Sequence, residues 1–355
     1  MKKSLVILVF LMVFLISPLL AFLVILLIFA IASKKIIIEI SGLGLVLWLS
    51  GLSLLLSLPD YNIGDISVYH ERIEDFDWQY IANLKNWDLY KLQYFLDPFF
   101  YLVAYLVKIG DFPLGFHGFI YSLVNYVLIF ILWKRRFLYD NDRNTSIAKM
   151  ALISILILSA PYNFLISYRF QTAASIILFA LLSRKLVIPK IIFATTVHTS
   201  ALVWLVLQNK RMRILILGII FAIFLFVPPM NSFAIAKIER YLSSDGFWTF
   251  SKPQRYIFFI YNIMWFIALI YFIPKKLKKY RILIFTIGLI LFPFQTIIIR
   301  SIYVIKHWWV FFVDKEKLPE IIGLSFIWII IDYQFWYTLI FADFKVELFY
   351  GLLIR

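Results

Sequence analysis

The chain contains no cysteine. Disulfides, thiolate zinc sites and cysteine nucleophiles are therefore excluded. Charge is scarce as well. Asp, Glu, Lys and Arg make up 15% of the 355 residues, against about 25% in an ordinary soluble domain. Acid is the rarer sign, with 20 Asp and Glu against 35 Lys and Arg. No Walker A, GxGxxG, HExxH or GxSxG constellation is present. An ATPase, a Rossmann enzyme, a zincin and an α/β-hydrolase thus have no support. What fills the space is apolar: 63% of the residues are hydrophobic, where soluble chains carry roughly 45–50%. Such a composition excludes a soluble enzyme, a disordered tail and a nucleic-acid-binding domain. It points to an integral membrane protein. The formal net charge of +15 then reads as cytoplasmic loops facing anionic lipid. With 37 Phe, 21 Tyr and 11 Trp, aromatic belts are expected at both interfaces.

The apolar run from Leu5 to Ala32 is almost twice the length of a signal h-region. It is read as a retained transmembrane helix kinked at Pro18, rather than as a cleaved signal ending at Ala30-Ile31-Ala32. Further apolar segments fall near 36–58, 114–133, 147–166, 168–184, 186–207, 214–230, 256–274, 282–299, 301–313 and 319–341. Helices are the default, because lipid offers no partner to an open backbone amide. The fold class expected is an all-α polytopic membrane protein of about 10–11 transmembrane helices, with residues 1–355 forming one integral membrane domain.

Loop charge orients it. Lys34 and Lys35, Lys134-Arg135-Arg136, the group Arg184, Lys185 and Lys190, the group Lys210, Arg211 and Arg213, and the run from Lys275 to Arg281 belong inside by the positive-inside rule. The stretch 59–113 holds nine of the 20 acidic residues and four Lys or Arg. It is placed outside, as is a second loop at 231–255. Asp97 to Ile109 is too short to cross and reads as a juxtamembrane helix, with Asp97 as N-cap and Pro98 at its first position. Segment 186–207 lies between basic loops, which favours a half-crossing hairpin turning at His198 over a single span. All four histidines, His70, His117, His198 and His307, then fall on or near the outer side. So do Arg169, Arg240, Arg255 and Arg300.

Arginine at membrane depth is expensive and tends to be functional. Arg169 and Arg300 stand apart from the basic clusters, and guanidinium suits phosphate or carboxylate. Snorkelling to the interface is the plain alternative. Arg240 and Arg255 belong to the second outer loop, where ordinary solvation competes with a ligand role. His198 could serve as a base near neutral pH or simply bond between helices. Asp65 and Tyr69 share a face if their segment is helical. Glu74, Asp75 and Asp77 could hold Mg²⁺ or Mn²⁺, although a charge run is more often a solvated face. Intramembrane acids are nearly confined to Glu39 and Asp332, which argues against a proton-coupled transporter.

Four short elements carry a resemblance. They are Gly64-Asp65 followed by Tyr69, Asp97-Pro98-Phe99-Phe100, Arg169 with Ala173, and His198-Thr199-Ser200-Ala201. In this order they resemble the EpsG-like branch of Wzy-type O-antigen and exopolysaccharide repeat-unit polymerases, over about residues 60–205. The glutamine that follows the arginine in that family is displaced here to Gln171. The arginine before its Gly-Asp element is replaced by Leu58-Pro59-Asp60.

The resemblance implies a GT-C-like bundle in the bacterial inner membrane. It implies polymerisation of undecaprenyl-diphosphate-linked oligosaccharide units at the outer face, with a chain-length regulator as a further partner. In that scheme Arg169, Arg300, Arg255 and Arg240 would neutralise the lipid diphosphate, and His198 or Asp65 would be the base. Tyr69, Tyr303 and Gln171 would line the substrate, and Trp308 and Trp309 would stack on sugars or sit in the belt. A diphosphate held by arginine needs no metal, so no cofactor is expected. A metal-dependent glycosyltransferase using single polyprenyl-phosphate sugars and a flippase or transporter are the competing readings.

Overall fold

The computed structural model describes residues 15–55, 66–74, 97–139, 145–165, 168–183, 185–198, 201, 214, 218, 307–313 and 317–331. Every regular element among them is helical: α1 (Pro18–Ile31), α2 (Lys35–Leu55), α3 (Ile66–Glu74), α4 (Pro98–Ile109), α5 (Gly115–Trp133), α6 (Thr145–Leu165), α7 (Tyr168–Ser183), α8 (Val187–Val197), α9 (Trp308–Phe312) and α10 (Leu318–Ile331). Two stretches, Lys35–Leu52 and Gly115–Leu138, are long and apolar enough to cross a membrane. The expected spans over 214–299 lie outside the described residues except for single positions.

At Pro18 the chain breaks rather than kinks. Ser17 is extended, its side chain accepts from Leu20 N at 3.3 Å, and Pro18 opens α1. Serine at the cap and proline in the first turn both favour a start here. Pro18, Ala21, Ile25 and Phe29 form the buried stripe of α1, which packs on α2. The rest of α1 is equally apolar but open, with Leu20, Leu23, Leu27 and Ile31 exposed.

Helix α5 is the hub and touches α2, α4, α6 and α7. The core at its C-terminal end is aromatic: Trp133 and Phe137 are fully buried, and Trp133 donates Nε1 to Ala148 O at 2.7 Å. The basic cluster expected to open a loop at Lys134 stays helical. Residues Lys134–Leu138 form a π-helical turn closed by Tyr139 N to Lys134 O at 3.1 Å. The wider turn lets Lys134 reach Glu39 at 2.5 Å and Arg136 reach Val313 O at 3.1 Å. These contacts hold the chain helical where sequence charge suggested a loop.

The described helices thus have two distinct ends. At one lie the start of α2, the end of α5 and the start of α6, with Lys34, Lys35, Lys134, Arg135, Arg136 and Lys149. At the other lie α3, the start of α4, the start of α5 and the start of α7. Helices α5 and α7 run parallel, so they can meet rung by rung.

Candidate functional site at the α3–α4–α7 junction

Arg169 follows the first residue of α7 and is 7% exposed. Its Nη1 donates to the Asp97 carboxylate at 2.9 Å. Its guanidinium lies 4.6 Å from the ring centroids of both Tyr69, on α3, and Phe100, on α4. A hydrogen bond to the Tyr69 side chain completes the grip. A cation packed between two aromatic faces is held electrostatically, and a guanidinium, being weakly hydrated, costs less to bury there than an ammonium would. Snorkelling is therefore not what Arg169 does: it is turned into protein, onto a carboxylate.

Asp97 does precede α4, with Pro98 at the first helical position, as expected. Its side chain, however, makes no cap hydrogen bond. The carboxylate is spent on Arg169 instead, which gives a stronger, charge-assisted bond than a backbone amide offers.

One layer below, His117 ties two of these elements together. Its Nε2 lies 3.2 Å from Phe100 O and its Nδ1 lies 2.8 Å from the Tyr168 hydroxyl. A carbonyl can only accept, so Nε2 carries the proton and Tyr168 donates to Nδ1. Phe100 and Tyr168 are the near neighbours of Asp97 and Arg169, so this histidine fixes both partners of the ion pair.

The contact continues down the α5–α7 seam. Thr172 Oγ1 donates to Tyr121 O at 3.0 Å, and Ser175 Oγ donates to Asn125 Oδ1 at 2.5 Å. Ser175 also meets His307 Nε2 at 3.4 Å. His117, Tyr121 and Asn125 recur every fourth residue on α5. Tyr168, Thr172 and Ser175 face them on α7. Polar pairs of this kind join helices in an apolar surround. His307 therefore lies at the Ser175 rung, seven residues or roughly 10 Å along the helix from Tyr168. It is fully buried within the bundle. Trp308 beside it is buried in the core and is not a belt residue.

Among the described residues, Gln171 is fully buried with neither end of its amide bonded. Asn125 Nδ2, the Tyr121 hydroxyl and Arg169 Nε are likewise without a hydrogen-bond partner. Buried polar atoms left open are costly and rare. They are the donors and acceptors that this junction offers to water, a hydroxylated ligand or an anion.

His198 ends α8 in an extended conformation, and its ring lies 5.0 Å from that of Phe170, the neighbour of Arg169. The helix thus stops where a turn was expected; the returning half of that hairpin lies outside the described residues. Of the other site residues read from sequence, Tyr69 and Gln171 are at this junction. Asp65, Arg240, Arg255, Arg300 and Tyr303 lie outside the described residues, as do Asp75 and Asp77. His117, Tyr168, Asn125, Ser175 and the pairing of Asp97 were not singled out by sequence reasoning. The four-residue recurrence of polar side chains within two apolar segments was the available signal.

No family model, no curated protein and no solved structure matches the chain.

Proposed function

We propose that the chain is a multi-pass inner-membrane polymerase of undecaprenyl-diphosphate-linked oligosaccharide repeat units, with a bundle of about 10–11 spans of GT-C-like form. The observation that supports this reading is convergence. Tyr69, Asp97 with Phe100, Arg169, and His198 come from four separate sequence elements. Tyr69, Asp97 and Phe100 each contact Arg169, and the His198 ring lies 5.0 Å from that of Phe170. Elements that served only to fill spans would have no reason to meet around one buried arginine. The open apolar faces of α1, α4 and α8 suit a hydrocarbon surround.

In the proposed reaction a hydroxyl of the incoming lipid-linked unit attacks the anomeric carbon of the growing chain. The bond from that carbon to the lipid diphosphate breaks, and the diphosphate leaves with the electron pair. The hydroxyl proton passes to a base, for which His198 and Asp65 are the candidates. Arg169 stabilises charge on the leaving diphosphate through donors fixed in advance by its aromatic sandwich. Asp97 holds that guanidinium in place until an anion competes for it.

The test is a polysaccharide ladder from cells carrying Arg169→Ala or Arg169→Lys, with membrane insertion checked by immunoblot. A product stopped at one repeat unit on its acceptor is expected for both variants. Normal ladders in Arg169→Ala would remove the reading. Loss of even the single unit in cells without the gene would move the activity to unit assembly or export.

A further inference from the structure

We propose that the basic end of the α1–α2–α5–α6 group binds the headgroup of an anionic phospholipid, with an acyl chain laid along the isoleucines of α1 and α2. This is independent of the glycosyl-transfer reading and concerns the opposite end of the helices.

The cations there fall into two kinds. Lys134 and Tyr139 both bond Glu39, Lys149 Nζ donates to Ala30 O at 2.7 Å, and Arg136 is committed to Val313 O. These three cations, with Tyr139, close the helix ends onto one another. Lys34, Lys35 and Arg135 are different: among the described residues none has a carboxylate within ion-pair distance. Lys34 and Arg135 are exposed, and Lys35 is half-exposed. The link from Glu39 to Lys134 brings the start of α2 against the end of α5, so all three sit at this end of the helices. The carboxylates described at this end are Glu39, already taken, and Glu320 at the head of α10.

Next to these cations lies a row of exposed isoleucines on α1 and α2. Ile28, Ile31, Ile36 and Ile37 are all exposed, Ile31 at 73%. Three cations with no carboxylate partner among the described residues, bordered by open isoleucines, match the two halves of a phospholipid. A phosphate satisfies the charges, and an acyl chain packs on the isoleucines. Free phosphate would use only the first half, and phosphatidylcholine brings a phosphate whose charge its own choline already offsets.

The experiment uses the full chain purified in a mild non-ionic detergent. Bound lipid is counted by native mass spectrometry, and the thermal midpoint is followed on adding phosphatidylglycerol or phosphatidylcholine of matched acyl chains. Phosphatidylglycerol is expected to bind at least about tenfold more tightly and to raise the midpoint. The triple variant Lys34→Gln/Lys35→Gln/Arg135→Gln, still monodisperse and helical, is expected to lose that preference. A variant of equal charge change elsewhere, Arg72→Gln/Lys85→Gln/Lys91→Gln, is expected to keep it. Equal binding of the two lipids by the wild type overturns the proposal. So does a preference that survives the first variant or is lost equally in the second. A full midpoint shift from millimolar inorganic phosphate alone would overturn the lipid as the occupant.

Discussion

Arg169 and Asp97 stand 72 positions apart in the chain and 2.9 Å apart in space, and neither faces open water. Their bond joins α7 to a segment that sequence charge alone would call a solvated loop. Removing one partner leaves the other charge buried, which costs about 3–5 kcal/mol. Asp97→Ala is therefore expected to lower the stability of the purified protein by about that amount. Asp97→Ala combined with Arg169→Met should recover most of it, because the uncompensated charge is gone. Thermal unfolding in detergent checks both. The double variant should still fail to elongate polysaccharide, so recovery of fold and recovery of function separate the structural from the chemical role of the pair.

The His117–Tyr168 pair makes a narrower prediction. Tyr168→Phe removes one hydroxyl and leaves the His117 Nδ1 acceptor dry and open. The cost expected is about 1–3 kcal/mol. His117→Phe in the same background removes the stranded acceptor and keeps ring volume, so its added cost should be confined to the lost Nε2 bond to Phe100 O, about 1 kcal/mol. The measurement is a double-mutant cycle on thermal stability. Additive losses would mean that the two groups do not depend on each other.

Much of the helical layout was legible before any coordinates, because long apolar runs bounded by charge leave few alternatives. Arg169 and His198 also stood out, each a polar group out of place in an apolar setting; Tyr69 entered through its spacing to Asp65 and the resemblance, and Gln171 through the resemblance alone. Partners did not. Asp97 beside Pro98 looks like a cap, and nothing local reveals a more favourable bond to a residue 72 positions on. His117 reads only as one of four histidines near the outer side, inside the 114–133 segment. Only the register of α5 against α7 shows that it braces Arg169. The π-helical turn at Lys134 was equally hidden, since its cause is the position of Glu39 and Val313 in other helices.

Acid should loosen the α3 end. Burial holds the His70 imidazole below its ordinary value of 6.5, so the unfolded chain takes up the proton first as pH falls. The folded state is then at full advantage above about pH 6.5 and loses it as pH drops below that value toward the folded one. The thermal midpoint is expected to fall between pH 7.5 and 5.0. His70→Gln should flatten part of that fall. An identical slope in the variant would exclude His70 as a source.

Close packing at Gly42 sets the last expectation. A Cβ placed there would meet Leu152 Cδ2 at 3.0 Å, Phe29 Cε2 at 3.4 Å and Trp133 Cη2 at 3.4 Å. Three helices, α1, α5 and α6, therefore converge on one position of α2. The leucine methyl is the flexible end of a side chain and can shift by a few tenths of an ångström; the two buried rings have less freedom. Alanine also gains about 1 kcal/mol of helix propensity over glycine. Gly42→Ala should therefore change stability by less than about 1 kcal/mol in either direction. Gly42→Ile adds further carbons against both rings and should cost about 3 kcal/mol or more, with loss of folded protein from the membrane fraction. Melting curves of the two variants side by side check the contrast. If isoleucine is tolerated as well as alanine, the four helices do not pack on this glycine as closely as the distances say.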